Sequence, residues 1–403
     1  MPPEDVRLEA GRPGLLLEAG TRLLHIGPHK TGTSAIQGAF RLARDRLAAH
    51  GVVYAATVRG VQAVTGRPAM LGEASPDITH WHKLVRDISK SGNQRVVVSS
   101  EFFAHANDAA ASRVIEDLGG SRVHVVVTLR PLIKIMPSQW QQYLQNGMST
   151  PYLKWLDGML REPPYTKPTP SFWKRHRHDK LIARWAAVAG AQNLTVIVVD
   201  ESDRLMLLRT FESMLSLPDR FLVPNEEMAN RSLTVAEAEV VRLLNAEFKS
   251  QEWPGSSYAR FMRYGAVRQM KTARQPLPGE PKIVSPAWAL ERVAEIGAEM
   301  AENILALGVR VVGDISVLGR LPGGLPEPGA EPGPRMPLLP ADAAAQAVLG
   351  AFIAGGVADQ AAGSNMHGPV ADRLVRDVDA KSLAGVLLRR VRERALRTLP
   401  PRS

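Results

Sequence analysis

The feature that most limits the fold is a series of apolar, β-branched-rich runs separated by helical patterns. Leu23–Gly27, Val52–Ala55, Val96–Ser99, Val123–Leu129 and Leu194–Asp200 are continuous rather than alternating, as suits strands buried on both faces of a parallel sheet. Between them, apolar residues recur at spacings of three and four. In Ser34–His50 these are Ile36, Phe40, Ala43 and Leu47, and Gly51 then sits where a helix end favours positive φ. Asn107–Leu118 reads as another helix, capped by Asn107 or Asp108 and stopped by Gly119-Gly120. Strands alternating with helices predict a doubly wound α/β domain, a parallel sheet flanked by helices with right-handed crossovers.

Past Asp200 the pattern turns mostly helical, with Asp203–Leu215, Thr234–Lys249 and Ala287–Leu307, then a short strand at Val309–Val312. Gly319–Pro340 is too dense in Pro and Gly for a regular element. A length of 403 residues allows two domains or one with an appendage. The expected division is a main domain over 1–320, a linker over 321–340 and helical C-terminal additions over 341–403. Those additions read as helices at Ala341–Ala362 and Ala371–Leu399, the second carrying Arg389, Arg390, Arg392, Arg394 and Arg397, a solvated basic face in its plain reading.

The complete lack of cysteine removes disulfides, thiolate metal sites and cysteine nucleophiles, leaving Ser/Thr, His, carboxylates, Lys and Arg for chemistry. The 50 Lys+Arg exceed the 40 Asp+Glu by ten, which favours an anionic partner. Near the N-terminus, Glu4, Asp5 and Glu9 accompany only the short apolar run Leu15–Leu17, too brief for a signal peptide or a span. A soluble, cytoplasmic protein without a transmembrane segment is expected.

The first strand runs into Gly27-Pro28-His29-Lys30-Thr31-Gly32-Thr33-Ser34, which opens a helix. Such a junction aims free N–H groups and the positive end of a helix dipole at one point, a ready anion site. Thr31, Thr33 and Ser34 are expected to add hydroxyl donors. A Walker loop would need lysine directly after Gly32, where Thr33 stands; the lysine here is Lys30. The strand Val123–Leu129 ends at Arg130, and Ser138 follows in a predicted helix. Ligands of open parallel sheets collect outside the carboxyl ends of strands, where Arg130 can fork two donors onto a phosphate.

Lys30-Thr31-Gly32-Thr33-Ser34 after a hydrophobic strand, with Gln37 shortly beyond, resembles the 5′-phosphosulfate loop of bacterial sulfotransferases that use 3′-phosphoadenosine 5′-phosphosulfate (PAPS). Arg130-x₇-Ser138, followed by an aromatic residue, is similar to the 3′-phosphate signature of the same family. The resemblance spans about residues 21 to 320. It implies a P-loop-type sheet and sulfuryl transfer from PAPS, the co-substrate, to a hydroxyl of a carbohydrate, glycolipid or small molecule. The donor would be held by His29, Lys30, Thr31, Gly32, Thr33, Ser34, Arg130 and Ser138. Lys30 would stabilise the leaving phosphate, and Ser138 would hold it away from the donor until acceptor binds. The family also closes a basic loop over the 3′-phosphate, which makes Arg231, with Ser232, a possible contact; ordinary capping by Thr234 and Glu237 explains most of that segment.

For the base, Glu101 lies just past the strand Val96–Ser99 and ahead of apolar Phe102 and Phe103, where partial desolvation would strengthen it. This resembles the carbohydrate sulfotransferases that place a glutamate there. His105 is the rival base. His80 and His82 are further acceptor-pocket candidates, and His176 to His178 lie in a basic run that reads as a solvated face or a lid over the anion. Trp140, Tyr143, Tyr152, Trp155 and Trp173 could stack on sugar rings, although core packing is the plainer use of most. No metal is expected, because Lys30, Arg130 and backbone donors meet the charge that Mg²⁺ meets in kinases, and no nucleic-acid partner is expected. The alternative is a P-loop kinase or NTPase, with Asp200 as the one obvious Mg²⁺-binding aspartate at a strand end. A third is a degenerate non-catalytic binder that works through its C-terminal helices.

Overall fold

The structure is a computed structural model that describes residues 14–67, 75–161, 169, 171–225, 231–323 and 339–355. Six strands, β1 (Arg22–Ile26), β2 (Val52–Ala55), β3 (Arg95–Ser99), β4 (Val123–Leu129), β5 (Leu194–Val198) and β6 (Arg310–Val312), form one sheet. All pairings are parallel, in the order β2-β3-β1-β4-β5-β6. This is the flanked parallel α/β sheet that the apolar runs require.

Alternation within each run divides the core between two faces. Leu24, Val96, Val98, Val125, Val127 and Val196 pack with Trp81, Val114 and Trp185, which come from the helices Ile78–Ser89, Asp108–Asp117 and His178–Ala189. Leu23, Val97, Val126 and Ile197 face the other way, against Phe40 of the helix Thr33–Leu47 and Phe211 of the helix Met206–Leu215. Each such side chain, fully buried, contributes about 1.5–3 kcal/mol. A strand sandwiched in this way cannot expose an edge of polar residues, which is why its sequence does not alternate.

The strand order positions the site. From β1 the chain crosses to β2 on one side, and from β4 it crosses to β5 on the other, so the carboxyl ends of β1 and β4 flank the point where the order reverses. Local signals fix the entries and exits. Asn107 accepts from the Ala110 N–H at 2.9 Å to start one helix, and Gly51, at φ 67°, ends the first helical segment as its spacing predicted.

The described chain divides into two compact units, and the division differs from the one read off composition. The first takes in 14–140, 150–225 and 284–323; the second takes in 141–149, 231–283 and the helix Ala341–Ala354. The second unit thus draws on a stretch assigned above to the main domain. Most of the expected linker, and the Arg-rich segment from Arg389 to Arg397, lie outside the described residues. Among the described residues, no helix is long and apolar enough to cross a membrane.

Within the second unit, Thr234 and Glu237 form the expected capping box on the helix Val235–Ser250. Glu237 is fully buried and also receives Arg274 at 2.8 Å and Arg231 at 2.7 Å. Burial pushes the Glu237 carboxyl up, and the donors from Arg231, Thr234 and Arg274 outweigh it and hold the group below its ordinary value. Arg274 reaches on to Glu280 and to Asp342, the latter at 2.7 Å, so one guanidinium joins three segments. Removing one member of a buried charged cluster leaves its partners uncompensated, at about 3–5 kcal/mol. Arg274→Ala is therefore expected to lower unfolding stability by that order and with it the urea midpoint, and an unchanged midpoint in urea titration would contradict the packing role.

Candidate functional site

The loop Gly27–Thr33 connects β1 to the helix Thr33–Leu47. Gly32 at φ 97° is the N-cap, with no side-chain cap and no acidic residue in the first turn. The first bonds into the helix come from the N–H groups of Ala35 and Ile36 to the Gly32 carbonyl, at 3.0 and 3.3 Å. The N–H groups of Thr33 and Ser34 therefore precede the helical ladder, as helix geometry demands. Lys30 itself is in the left-handed region, φ 74°, a conformation unusual for a residue with a Cβ. Gly27 is held by contact: a Cβ there would fall 1.8 Å from Thr33 Oγ1.

The hydroxyls of this loop divide their work in a way the sequence did not reveal. Thr31 Oγ1 donates to the Pro28 carbonyl at 2.7 Å, and Thr33 Oγ1 to the Gly27 carbonyl at 3.0 Å. Both threonines are buried, so their hydroxyls shape the loop and do not face outward as expected; Ser34 alone of the three is exposed. Thr31 Oγ1 also lies 3.0 Å from Thr128 Oγ1 on β4. Arg130 is two residues beyond Thr128, so the two sequence motifs meet at neighbouring strand ends.

The Arg130 guanidinium is held by Glu201, just after β5, with an Nε–Oε1 distance of 2.5 Å. Lys134 Nζ lies 3.5 Å from the other Glu201 oxygen. An anion binding at Arg130 meets a carboxylate already there. Ser138 is half-buried in the second turn of the helix Leu132–Gln145. Asp200 closes a local turn by accepting from the Ser202 N–H at 2.8 Å and hydroxyl at 2.7 Å, and those bonds hold its carboxyl below the usual range.

Glu101 and His105 bound a short 3₁₀ turn that Ser100 caps. The Ser100 N–H donates to the His25 carbonyl at 3.1 Å, which sets this turn beside the end of β1. Gln37 Nε2 bridges the Ser99 carbonyl at 3.2 Å and Glu101 Oε2 at 3.3 Å, so the glutamine after the loop orients the carboxylate. His105 stands with its ring centroid 6.0 Å from that of His29, and Phe102 lies 5.9 Å from His29. The Nε2 atoms of both histidines are buried without a hydrogen-bond partner among the described residues. Burial first, then Arg175, Arg67 and Lys174, pushes His105 down to about 3, and burial with Arg175 holds His29 well below its ordinary value.

Other expectations are corrected. The run around His176 is not a solvated face: Arg175 is 6% exposed and His176 and His178 are 0% exposed. Its short helix, Ser171–His176, packs against the turn at 101–105, and Phe172 covers the His176 ring at 4.6 Å. His80 and His82 decorate the helix Ile78–Ser89, paired with Asp77 at 3.7 Å and Arg113 at 3.2 Å. Trp140, Tyr152, Trp155 and Trp173 pack around Phe172 and one another, with the Trp140, Trp155 and Trp173 ring N–H groups satisfied within the protein, and Tyr143 belongs to the second unit. Arg231 donates to Glu237 and to the carbonyls of Ser232, Met270 and Arg274, all within the second unit.

Three residues were missed. Ser99, His25 and Thr128 are the polar members of three adjacent strand ends, each two positions past an apolar residue on the same sheet face. His25 Nδ1 lies 2.8 Å from Ser99 Oγ and Nε2 lies 3.2 Å from Thr128 Oγ1. The signal that could have found them is a polar residue interrupting an apolar run at or next to the carboxyl end of its strand.

No family model matches the chain, and no curated protein matches it. Among solved structures it is similar to a sulfotransferase from Alicyclobacillus acidocaldarius, at 14% identity and a TM-score of 0.39, over 59% of this chain and 94% of that one.

Burial sets His25 and His105 at about 3 and His124 and His178 at about 4, with His29 and His176 also well depressed. Unfolded histidines take up protons below about pH 6.5 that the folded protein refuses. Stability is thus complete above that pH and declines as pH falls toward the folded values. The urea midpoint is expected to drop between pH 7.5 and 5; a flat profile would show these imidazoles to be accessible to protons.

Proposed function

We propose that the protein transfers a sulfuryl group from PAPS to a hydroxyl of a carbohydrate, glycolipid or small-molecule acceptor. The observation that carries this reading is the contact between the Lys30 loop and β4 through Thr31 and Thr128, two residues ahead of Arg130. It sets a lysine-bearing anion loop beside an arginine, as one nucleotide with phosphates at both ends of its ribose requires. The chemistry of the donor set fits such a ligand: an uncapped helix start without acidic side chains, and two cations.

Bound there, the donor would supply an activated sulfuryl group on a 5′-phosphate. Lys30 meets the negative charge that gathers on the phosphate side, and the Thr33 and Ser34 N–H groups share it. Arg130 takes the 3′-phosphate in exchange for Glu201, and Ser138, in the helix that follows β4, would share it. Glu101, oriented by Gln37, accepts the proton of the acceptor hydroxyl. His105, whose basicity burial depresses in the free protein, is the second candidate for that proton.

Calorimetric titration with 3′-phosphoadenosine 5′-phosphate, and separately with ATP and Mg²⁺, tests the reading. Binding of the first alone supports it, and binding of the second alone overturns it in favour of a kinase or NTPase. Lys30→Ala should lower kcat roughly 10²–10³-fold, the range for loss of one preorganised charge-stabilising donor. Glu101→Gln should lower kcat about 10²-fold or more while nucleotide affinity stays unchanged. Transfer at the wild-type rate by either variant removes that residue from the mechanism.

A further inference from the structure

A line of hydrogen bonds crosses the sheet beneath the loop, and its direction follows from proton counting. Thr31 Oγ1 lies 2.7 Å from the Pro28 carbonyl oxygen, which can only accept, so the one hydroxyl proton of Thr31 points there. The contact with Thr128 Oγ1 at 3.0 Å must then be donated by Thr128. Thr128, its own proton committed, can only accept from His25 Nε2 at 3.2 Å, so Nε2 carries the imidazole proton. In the neutral ring Nδ1 is then an acceptor, and Ser99 Oγ donates to it at 2.8 Å. Every donor in the series Ser99, His25, Thr128, Thr31 thus points toward the Pro28 carbonyl.

The members are buried, and His25 and Thr128 face the sheet side lined by Phe211, whose ring stands 5.2 Å from the imidazole. Burial pushes His25 down to about 3, which keeps it neutral and leaves Nδ1 free to accept. A protonated ring would reverse the bond to Ser99.

We infer that His25, acting through Thr128 and Thr31, is a positioning residue for the anion loop: as the Nε2–H tautomer it donates to Thr128 Oγ1, leaves the Thr128 proton to Thr31, and so ties the Pro28–Thr31 turn carrying Lys30 to β4. The inference rests on the reading of that loop as the donor site. His25 touches no ligand in this scheme. It sets the backbone from which Lys30 and the following N–H groups are presented, and a loop released from β4 loses the preorganisation that makes such donors effective.

The experiment compares wild type, Thr128→Val and Thr128→Ser. Valine keeps the shape and removes the hydroxyl that joins His25 Nε2 to Thr31, whereas serine keeps the hydroxyl. Affinity for 3′-phosphoadenosine 5′-phosphate is expected to fall about tenfold in the valine variant, the scale of losing one buried hydrogen bond, and to return in the serine variant. The acceptor KM should stay unchanged. Equal nucleotide affinity in all three overturns the inference. Independently, ¹⁵N spectra of the wild-type histidines, with His25 assigned by a His25→Gln variant, should show a neutral Nε2–H tautomer from pH 6 to 8. An Nδ1–H tautomer, or titration near 6.5, overturns the series even if the valine variant fails to fold. Failure of wild type to bind the nucleotide would strike the donor reading instead, and the spectrum would still decide the direction of the bonds.

Discussion

The bond between Thr31 and Thr128 is the interaction on which the site depends. A loop that only followed β1 would be fixed at two ends and could adopt several turns. Tied sideways to β4, it has one, and Lys30 is held in a left-handed conformation that an isolated chain would avoid. Parallel register makes the tie possible: Ile26, the last residue of β1, lies opposite Val127, so the loop leaving β1 emerges beside Thr128, which is still on β4. The sheet therefore does more than carry two motifs, since its registration converts two separate stretches of sequence into one surface.

Much of this was legible in the residues. The strand from Val123 to Leu129 matches its apolar run, because burial on both faces leaves no other composition available. Gly51, Asn107 and the Thr234–Glu237 pair mark helix ends because backbone geometry and local hydrogen bonds there depend on near neighbours only. That the Lys30 loop and Arg130 both follow strand ends was legible in the sequence, and the adjacency of those two strands comes from the sheet order.

What escaped the sequence was which partner each polar side chain takes. The hydroxyls of Thr31 and Thr33 look like ligand donors until their carbonyl partners are known. Arg175, His176 and His178 have the composition of a surface, and their burial depends on a turn some seventy residues earlier. Arg231 has a basic side chain at a helix start in either reading, and only the fold brings Glu237 and the Met270 carbonyl to it. The second compact unit was hidden for the same reason: the residues joined by Arg274 lie up to 68 positions from it, with nothing local to announce the association.

The inward-facing threonines have a consequence for how this loop would behave under genetic scanning. Replacing Thr31 or Thr33 would mimic the loss of a ligand contact although neither hydroxyl faces outward. A selection for activity would rank both positions with Lys30, and sequence relatives filtered by such a selection would keep all three equally. Functional importance and physical contact thus part company within four residues, and a mutational map of the loop records its architecture as faithfully as its ligand.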